Sequence, residues 1–233
     1  MTVLKVDSLS KDFTMHIRNG KTLSGFRNVS FELDEGEFLG ISGPSGIGKS
    51  SLLKCVYRTY IPSGGSVLYR LNNGGTCDLA TANEHEVLSL RFSEIAFVTQ
   101  FFHVIPRVPA FDILLGELCS RGADAAEAKD MIAEYLLKLG IPKALWQMFP
   151  STFSGGEKQR LNILYAVIRQ PRLLLLDEPT ASLDPETRNE VVRLLTDLKL
   201  RGTSMIGVFH DHETMKRLAD KEYSFEKAME AVR

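Results

Sequence analysis

The chain has 233 residues, 44% of them hydrophobic and 24% charged, with a formal net charge of −1. This is the composition of a globular chain with a sizeable core, and the near-zero charge gives no electrostatic case for nucleic acid or an anionic membrane surface. Three scattered cysteines, Cys55, Cys77 and Cys119, form no C-x-x-C pair, which fits a reducing compartment better than a disulfide framework. The first residues lack the basic and apolar regions of a signal peptide, and no apolar run approaches the roughly 18–20 residues that span a bilayer. The expectation is a cytoplasmic protein whose membrane role, if any, runs through a partner.

Residues 3 to 35 read as β, with Val29, Phe31 and Leu33 alternating with polar residues. Phe38–Ile41 reads as a short buried strand and Ser51–Val56 as the start of an apolar helix. Between them stands Gly43-Pro44-Ser45-Gly46-Ile47-Gly48-Lys49-Ser50, which fits G-x-x-x-x-G-K-[ST]. Glycines allow close backbone approach to an anion, and the loop N–H groups with the helix N-terminus then cradle phosphate. Lys49 is expected on the β- and γ-phosphates of a nucleotide and the Ser50 hydroxyl on Mg²⁺. Beyond the helix, Ser66–Leu71 reads as a strand, Asn72–Gly75 as a hairpin turn, and Ile95–Val98 as a strand ending near Gln100.

From Phe101 to about Arg169 the pattern is mostly helical. Asp124 with Glu127 reads as a helix start, and Gly140-Ile141-Pro142 as its stop. Leu173–Leu176 then reads as a central parallel strand. It is followed by an amphipathic helix over 186–200 and a strand over 204–209. Lys221 to Arg233 reads as a short charged helix or tail.

The Leu173–Leu176 strand runs into Asp177-Glu178. Ligands meet the carboxyl ends of parallel strands, so Asp177 is expected to hold Mg²⁺ through water and Glu178 to orient or deprotonate the attacking water. Ser154-Gly155-Gly156-Glu157 reads as a capping box and also as an anion site at a helix N-terminus. Two such sites meet one γ-phosphate only if the fold joins them or a head-to-tail dimer does so in trans. His210, at a strand end, is either structural or a contact to the γ-phosphate or water. Gln100 would touch Mg²⁺ or the water, and Phe13 either packs in the core or stacks on adenine.

Together these residues resemble the ATP-binding-cassette (ABC) ATPases. The match in order is an A-loop aromatic (Phe13), Walker A with Ser51 after it, a Q-loop (Gln100), the signature (Phe153 to Glu157), Walker B (Leu173 to Asp177, then Glu178), a D-loop (Ser182-Leu183-Asp184) and a switch histidine (His210). The resemblance implies an α/β fold of P-loop type. It places an ATP-binding core with an antiparallel β subdomain at 1–100 and 170–233, and a helical signature subdomain at 101–169. It also implies ATP and Mg²⁺ as ligands and a sandwich dimer in which a second protomer's signature and D-loop close each ATP.

A narrower likeness, in residues 100–107, 150–157 and 207–211, is to the cassette ATPases of the bacterial phosphonate carbon–phosphorus lyase system. That likeness implies soluble lyase subunits as partners. The alternative is the ATPase subunit of a membrane transporter of exporter or lipoprotein-release type, partnered by a permease. A DNA-repair or translation ATPase is disfavoured by the charge, the single cassette and the lack of a long coiled-coil insertion. A non-hydrolysing scaffold is disfavoured by the set Gln100, Glu178 and His210. Two departures stand out: Phe153 where Leu is commoner, and Leu164-Tyr165 where the family usually carries Ala-Arg.

Overall fold

The computed structural model describes residues 1–15, 21–100, 107–181 and 183–225. Residues 101–106 of the 100–107 string, Ser182 of the D-loop and the tail beyond Phe225 lie outside these residues. Strands β1 (Thr2–Met15) and β2 (Lys21–Asp34) form a long antiparallel pair. β3 (Phe38–Ser42) leads through the glycine loop into α1 (Lys49–Val56). β4 (Gly64–Arg70) and β5 (Thr76–Asp78) form the expected hairpin, closed by Leu71 N–H donating to the Gly75 carbonyl at 2.9 Å. α2 (Glu84–Ser93) and β6 (Ile95–Val98) follow.

The helical stretch comprises α3 (Ala110–Ser120), α4 (Ala125–Lys138), the single turn α5 (Lys143–Trp146) and α6 (Gly155–Val167). β7 (Leu173–Asp177), α7 (Pro185–Leu200), β8 (Ser204–Val208), α8 (His212–Leu218) and β9 (Lys221–Ser224) complete the order.

The strands make two sheets. One is antiparallel, in the order β2-β1-β4-β5; the other has the order β6-β7-β8-β3-β9, with every pairing parallel. The parallel sheet is covered on both faces, which explains its unbroken apolar strands. Along β7, Leu174 and Leu176 join a core cluster with α3, α4, α6 and α7. Leu173 and Leu175 face the opposite way, into a cluster with α1 and the antiparallel sheet. All four leucines are fully buried, and each such burial stabilises by about 1.5–3 kcal/mol.

Helix ends follow local chemistry. The Asp124 carboxylate accepts from the N–H groups of Ala126 and Glu127, capping α4 as expected. α2, passed over in the sequence reading, starts at a full capping box between Asn83 and Glu86 but buries only Val87 and Leu90. The expected charged helix or tail after Lys221 is corrected over its first part, because Lys221–Ser224 is an edge strand of the parallel sheet. The physical reason is non-local. Tyr223 packs on Phe31 and Phe225 is buried, while Lys221 pairs with Glu37 at 2.7 Å. Charged residues are what a sheet edge tolerates.

Candidate active site

The carboxyl ends of four adjacent strands build the site. In the parallel register Val98 lies opposite Leu176, Asp177 opposite Val208, and Val208 opposite Ile41. Gln100, Glu178, His210 and Gly43 therefore leave the sheet side by side, one or two residues past the last pairs.

The loop after β3 turns on Gly43, Gly46 and Gly48, all at positive φ. At Gly48 the requirement is also steric, since a Cβ there would lie 2.6 Å from the Gly25 carbonyl oxygen. Pro44, Ser45 and Gly46 are exposed, while Ile47 packs inward against the core that includes Phe225. Ser51, on the first turn of α1, is half-buried. The Lys49 ammonium folds back over the loop, donating to the Gly43 carbonyl at 2.6 Å and the Pro44 carbonyl at 2.8 Å. An anion in the loop would exchange those contacts for stronger ones in which both partners are charged.

Ser50 joins this loop to β7, its hydroxyl donating to Asp177 Oδ1 at 2.8 Å. Burial pushes the Asp177 carboxyl above its ordinary value, and the Ser50 bond works against that shift. An oxygen-only pair with a buried carboxylate suits a hard divalent cation, which takes few protein ligands and completes its shell with phosphate and water. No group of three or more His, Cys, Asp or Glu residues forms a separate metal cluster among the described residues.

Glu178 adopts φ 51°, a left-handed conformation that costs a non-glycine residue about 1–3 kcal/mol. Its N–H donates to the Val208 carbonyl at 2.9 Å, which holds the turn. Gln100 Nε2 approaches Glu178 Oε2 at 3.4 Å, and His210 is exposed at the end of the neighbouring strand.

Phe13 sits beside the loop through Gly25: its ring lies over Gly25, whose carbonyl abuts Gly48. The ring also meets Tyr60 edge-on at 5.4 Å and the Lys11 ammonium at 5.1 Å. Ser154 caps α6 in a full capping box, accepting from Glu157 N–H while the Glu157 carboxylate accepts from Ser154 N–H at 2.7 Å. Ser154 and Gly155 are exposed and Gly156 is half-buried. Asp184 caps α7 by accepting from Glu186 and Thr187, and those bonds hold its carboxyl below the usual range. Among the described residues no hydrogen bond joins Ser154, Gly155, Gly156 or Asp184 to the loop.

Tyr165, at the expected arginine position, donates to Glu117 Oε2 at 2.7 Å, and Arg121 and Arg169 pair with the same carboxylate. The Tyr165 hydroxyl thus ties α6 to α3. The sequence reading also missed Gln159 and Asn162, two buried polar residues on α6. Their one visible signal is their place among Leu161, Ile163 and Leu164. A groove of about 820 Å³ between the β4–β5 hairpin and α2 shares none of the site residues.

A strand–glycine loop–helix unit facing a strand-end Asp-Glu pair defines a P-loop nucleoside triphosphatase. The family model described as ABC transporter matches residues 26–181, and the chain belongs to that family. It is 34% identical over 218 residues to the lipoprotein-releasing system ATP-binding protein LolD of Maricaulis maris, covering 93% of this chain and 91% of that one. It is 35% identical over 200 residues to the cell division ATP-binding protein FtsE of Bacillus subtilis, covering 84% and 83%. A dimeric ATP-binding cassette in a post-hydrolysis state with ADP and Pi superposes with a TM-score of 0.81 at 28% identity, covering 94% of this chain and 95% of that one. The chain is an ATP-binding, ATP-hydrolysing cassette. No helix among the described residues is long and apolar enough to cross a membrane.

Proposed function

We propose that this chain is the ATPase subunit of an ABC transporter, in which closure of two cassettes around ATP does work on a separate membrane permease. The observation that carries the ATPase part is the convergence of Asp177, Glu178 and Gln100 at adjacent strand ends with Ser50 of α1. Residues 43–51 hold the ATP phosphates, with Lys49 neutralising the β- and γ-groups. Ser50, Asp177 and Gln100 hold Mg²⁺, which would supply charge neutralisation at the transferred phosphoryl group. Glu178, oriented by Gln100 and His210, takes the proton of the attacking water. Phe13 stacks on adenine.

Ser154, Gly155, Gly156 and Glu157, with Asp184, serve the ATP of the partner protomer. The exposure of Ser154, Gly155 and Asp184 supports this role. Residues 1–100 and 170–233 form the ATP-binding core with its β subdomain, and 101–169 the helical signature arm. The permease reading draws on relatives named for lipoprotein release, glutamine transport and cell division. It places the chain at the cytoplasmic face of the membrane through its partner.

A second reading has its own observation. The strings at 100–107, 150–157 and 207–211 resemble PhnL, the cassette protein of the phosphonate carbon–phosphorus lyase system. On that reading the same ATP cycle acts on soluble lyase subunits. Purifying tagged Glu178→Gln protein with ATP·Mg²⁺ from its own cells grown on a phosphonate, followed by mass spectrometry, separates the two. Recovery of an integral-membrane permease supports the first reading; recovery of lyase subunits without one overturns it in favour of the second.

A further inference from the structure

α6 carries two polar side chains in a nearly dry setting: Gln159 is 6% exposed and Asn162 5%. Buried amides cost free energy unless each is hydrogen-bonded. Both are bonded, and to informative partners. Gln159 Nε2 donates to the Pro179 carbonyl at 3.1 Å, and Asn162 Nδ2 donates to the Thr99 carbonyl at 2.7 Å. The two residues are three apart in a helix, so they share one face.

Each carbonyl belongs to a direct neighbour of a proposed water-handling residue. Thr99 precedes Gln100, and Pro179 follows Glu178. Gln100 and Glu178 then meet each other at 3.4 Å. One helix face thus grips both strand ends from which the pair projects. The same helix begins at the exposed Ser154 cap.

We infer that Gln159 and Asn162 are positioning residues for ATP hydrolysis, fixing Gln100 and Glu178 to the orientation of α6. This rests on the reading of Gln100 and Glu178 as the water-handling pair. A shift of α6 when its N-terminus engages a partner's nucleotide is passed to the Thr99 and Pro179 carbonyls. The water-handling pair then moves with the helix. Leucine at these positions would fill the core equally well but would leave two backbone carbonyls without these donors and the strand ends free of the helix.

The test uses the full-length protein with Gln159→Met and Asn162→Leu, which nearly keep volume. We would measure kcat and KM for ATP·Mg²⁺, the thermal midpoint and ATP-dependent dimerisation. Small misplacements at a reacting centre are expensive in rate, so each variant is expected to lose about tenfold in kcat with KM within about twofold. On a Glu178→Gln background the Gln159→Met loss should shrink to less than about twofold, as should the Asn162→Leu loss on Gln100→Ala, because residues acting as a unit are non-additive.

An unchanged kcat in both variants overturns the inference. So does a loss that persists in full on the mutated backgrounds, which would mark the two amides as packing groups. If Glu178→Gln alone hydrolyses at the parent rate, the assignment of Glu178 fails, and the Asn162–Gln100 pair still decides the coupling. Should an apolar variant not fold, Asn162→Ser and Gln159→Ala are read by the same criteria.

Discussion

The two anion-ready helix starts in this molecule are built to opposite plans. The start of α1 is tied into its surroundings. Lys49 is bonded to loop carbonyls, Ser50 to Asp177, and Gly48 is pressed against Gly25. The start of α6 satisfies itself through Ser154 and Glu157 and leaves Ser154 and Gly155 exposed. Both have the dipole and the N–H groups that favour phosphate. Only the first lies among strand ends that also supply two carboxylates, Asp177 and Glu178. On the proposed function, the contrast teaches that one chain holds a floor for ATP and a separate lid, and the lid has no floor of its own to close.

That contrast can be broken in graded steps. The largest effect is expected from Glu178→Gln, which keeps shape and removes the base: steady-state kcat should fall by about 10²–10⁴-fold while ATP·Mg²⁺ binding persists. Sizing chromatography should then show an accumulating dimer, and an undiminished rate would remove Glu178 from the water-handling role. Next is Lys49→Ala, which should weaken ATP affinity of the monomer by about 100-fold through loss of a charge-assisted contact. Equal affinity by equilibrium binding would sink the loop assignment. Ser154→Ala should separate lid from floor. Losing the cap costs about 1 kcal/mol of stability, and turnover should fall about tenfold while monomer affinity for ATP stays within about twofold. A matching loss of monomer affinity would mean that the signature serves the ATP of its own chain.

How much of this was legible beforehand divides along the same line. The glycine loop, the Leu173–Leu176 strand and the Ser154–Glu157 box are local chemistry, written in consecutive residues with one physical meaning each. Side-by-side placement of Gln100, Glu178 and His210 was inferable because each ends an apolar strand run. What escaped depended on distant partners. Lys221–Ser224 looks like solvated charge until β3 and Phe31 lie beside it. α2 has a clear cap at Asn83 but a weak apolar face, because most of its surface remains outside the core. Gln159 and Asn162 are ordinary helix-surface residues in the string. Their meaning comes from the Thr99 and Pro179 carbonyls, just past the ends of β6 and β7 and 63 and 20 residues away. Tyr165 likewise shows no partner in the string, because Glu117, which accepts its hydroxyl, lies 48 residues away.

The smallest expected effect sharpens the comparison from the stability side. Burial raises the Asp177 carboxyl above its ordinary value, so the native state binds its proton more tightly than the unfolded chain does. The associated stability is fully present below the unfolded carboxylate value and is lost as pH rises through the native one. At neutral pH the ionised group therefore burdens the nucleotide-free fold, in return for a site that attracts a cation. Asp177→Asn keeps an oxygen for the Ser50 hydroxyl and removes the charge. Its nucleotide-free thermal midpoint should exceed that of the parent at pH 7, with the gap closing as pH falls into the carboxylate range. The extra stabilisation that Mg²⁺ adds to the ATP-bound parent should be lost. A lower midpoint at pH 7 would show that the Ser50–Asp177 bond outweighs the burial cost, and that the floor of the site is a structural joint first. A higher one fits a site whose stability is partly given up for function, as is common where buried charge awaits a ligand.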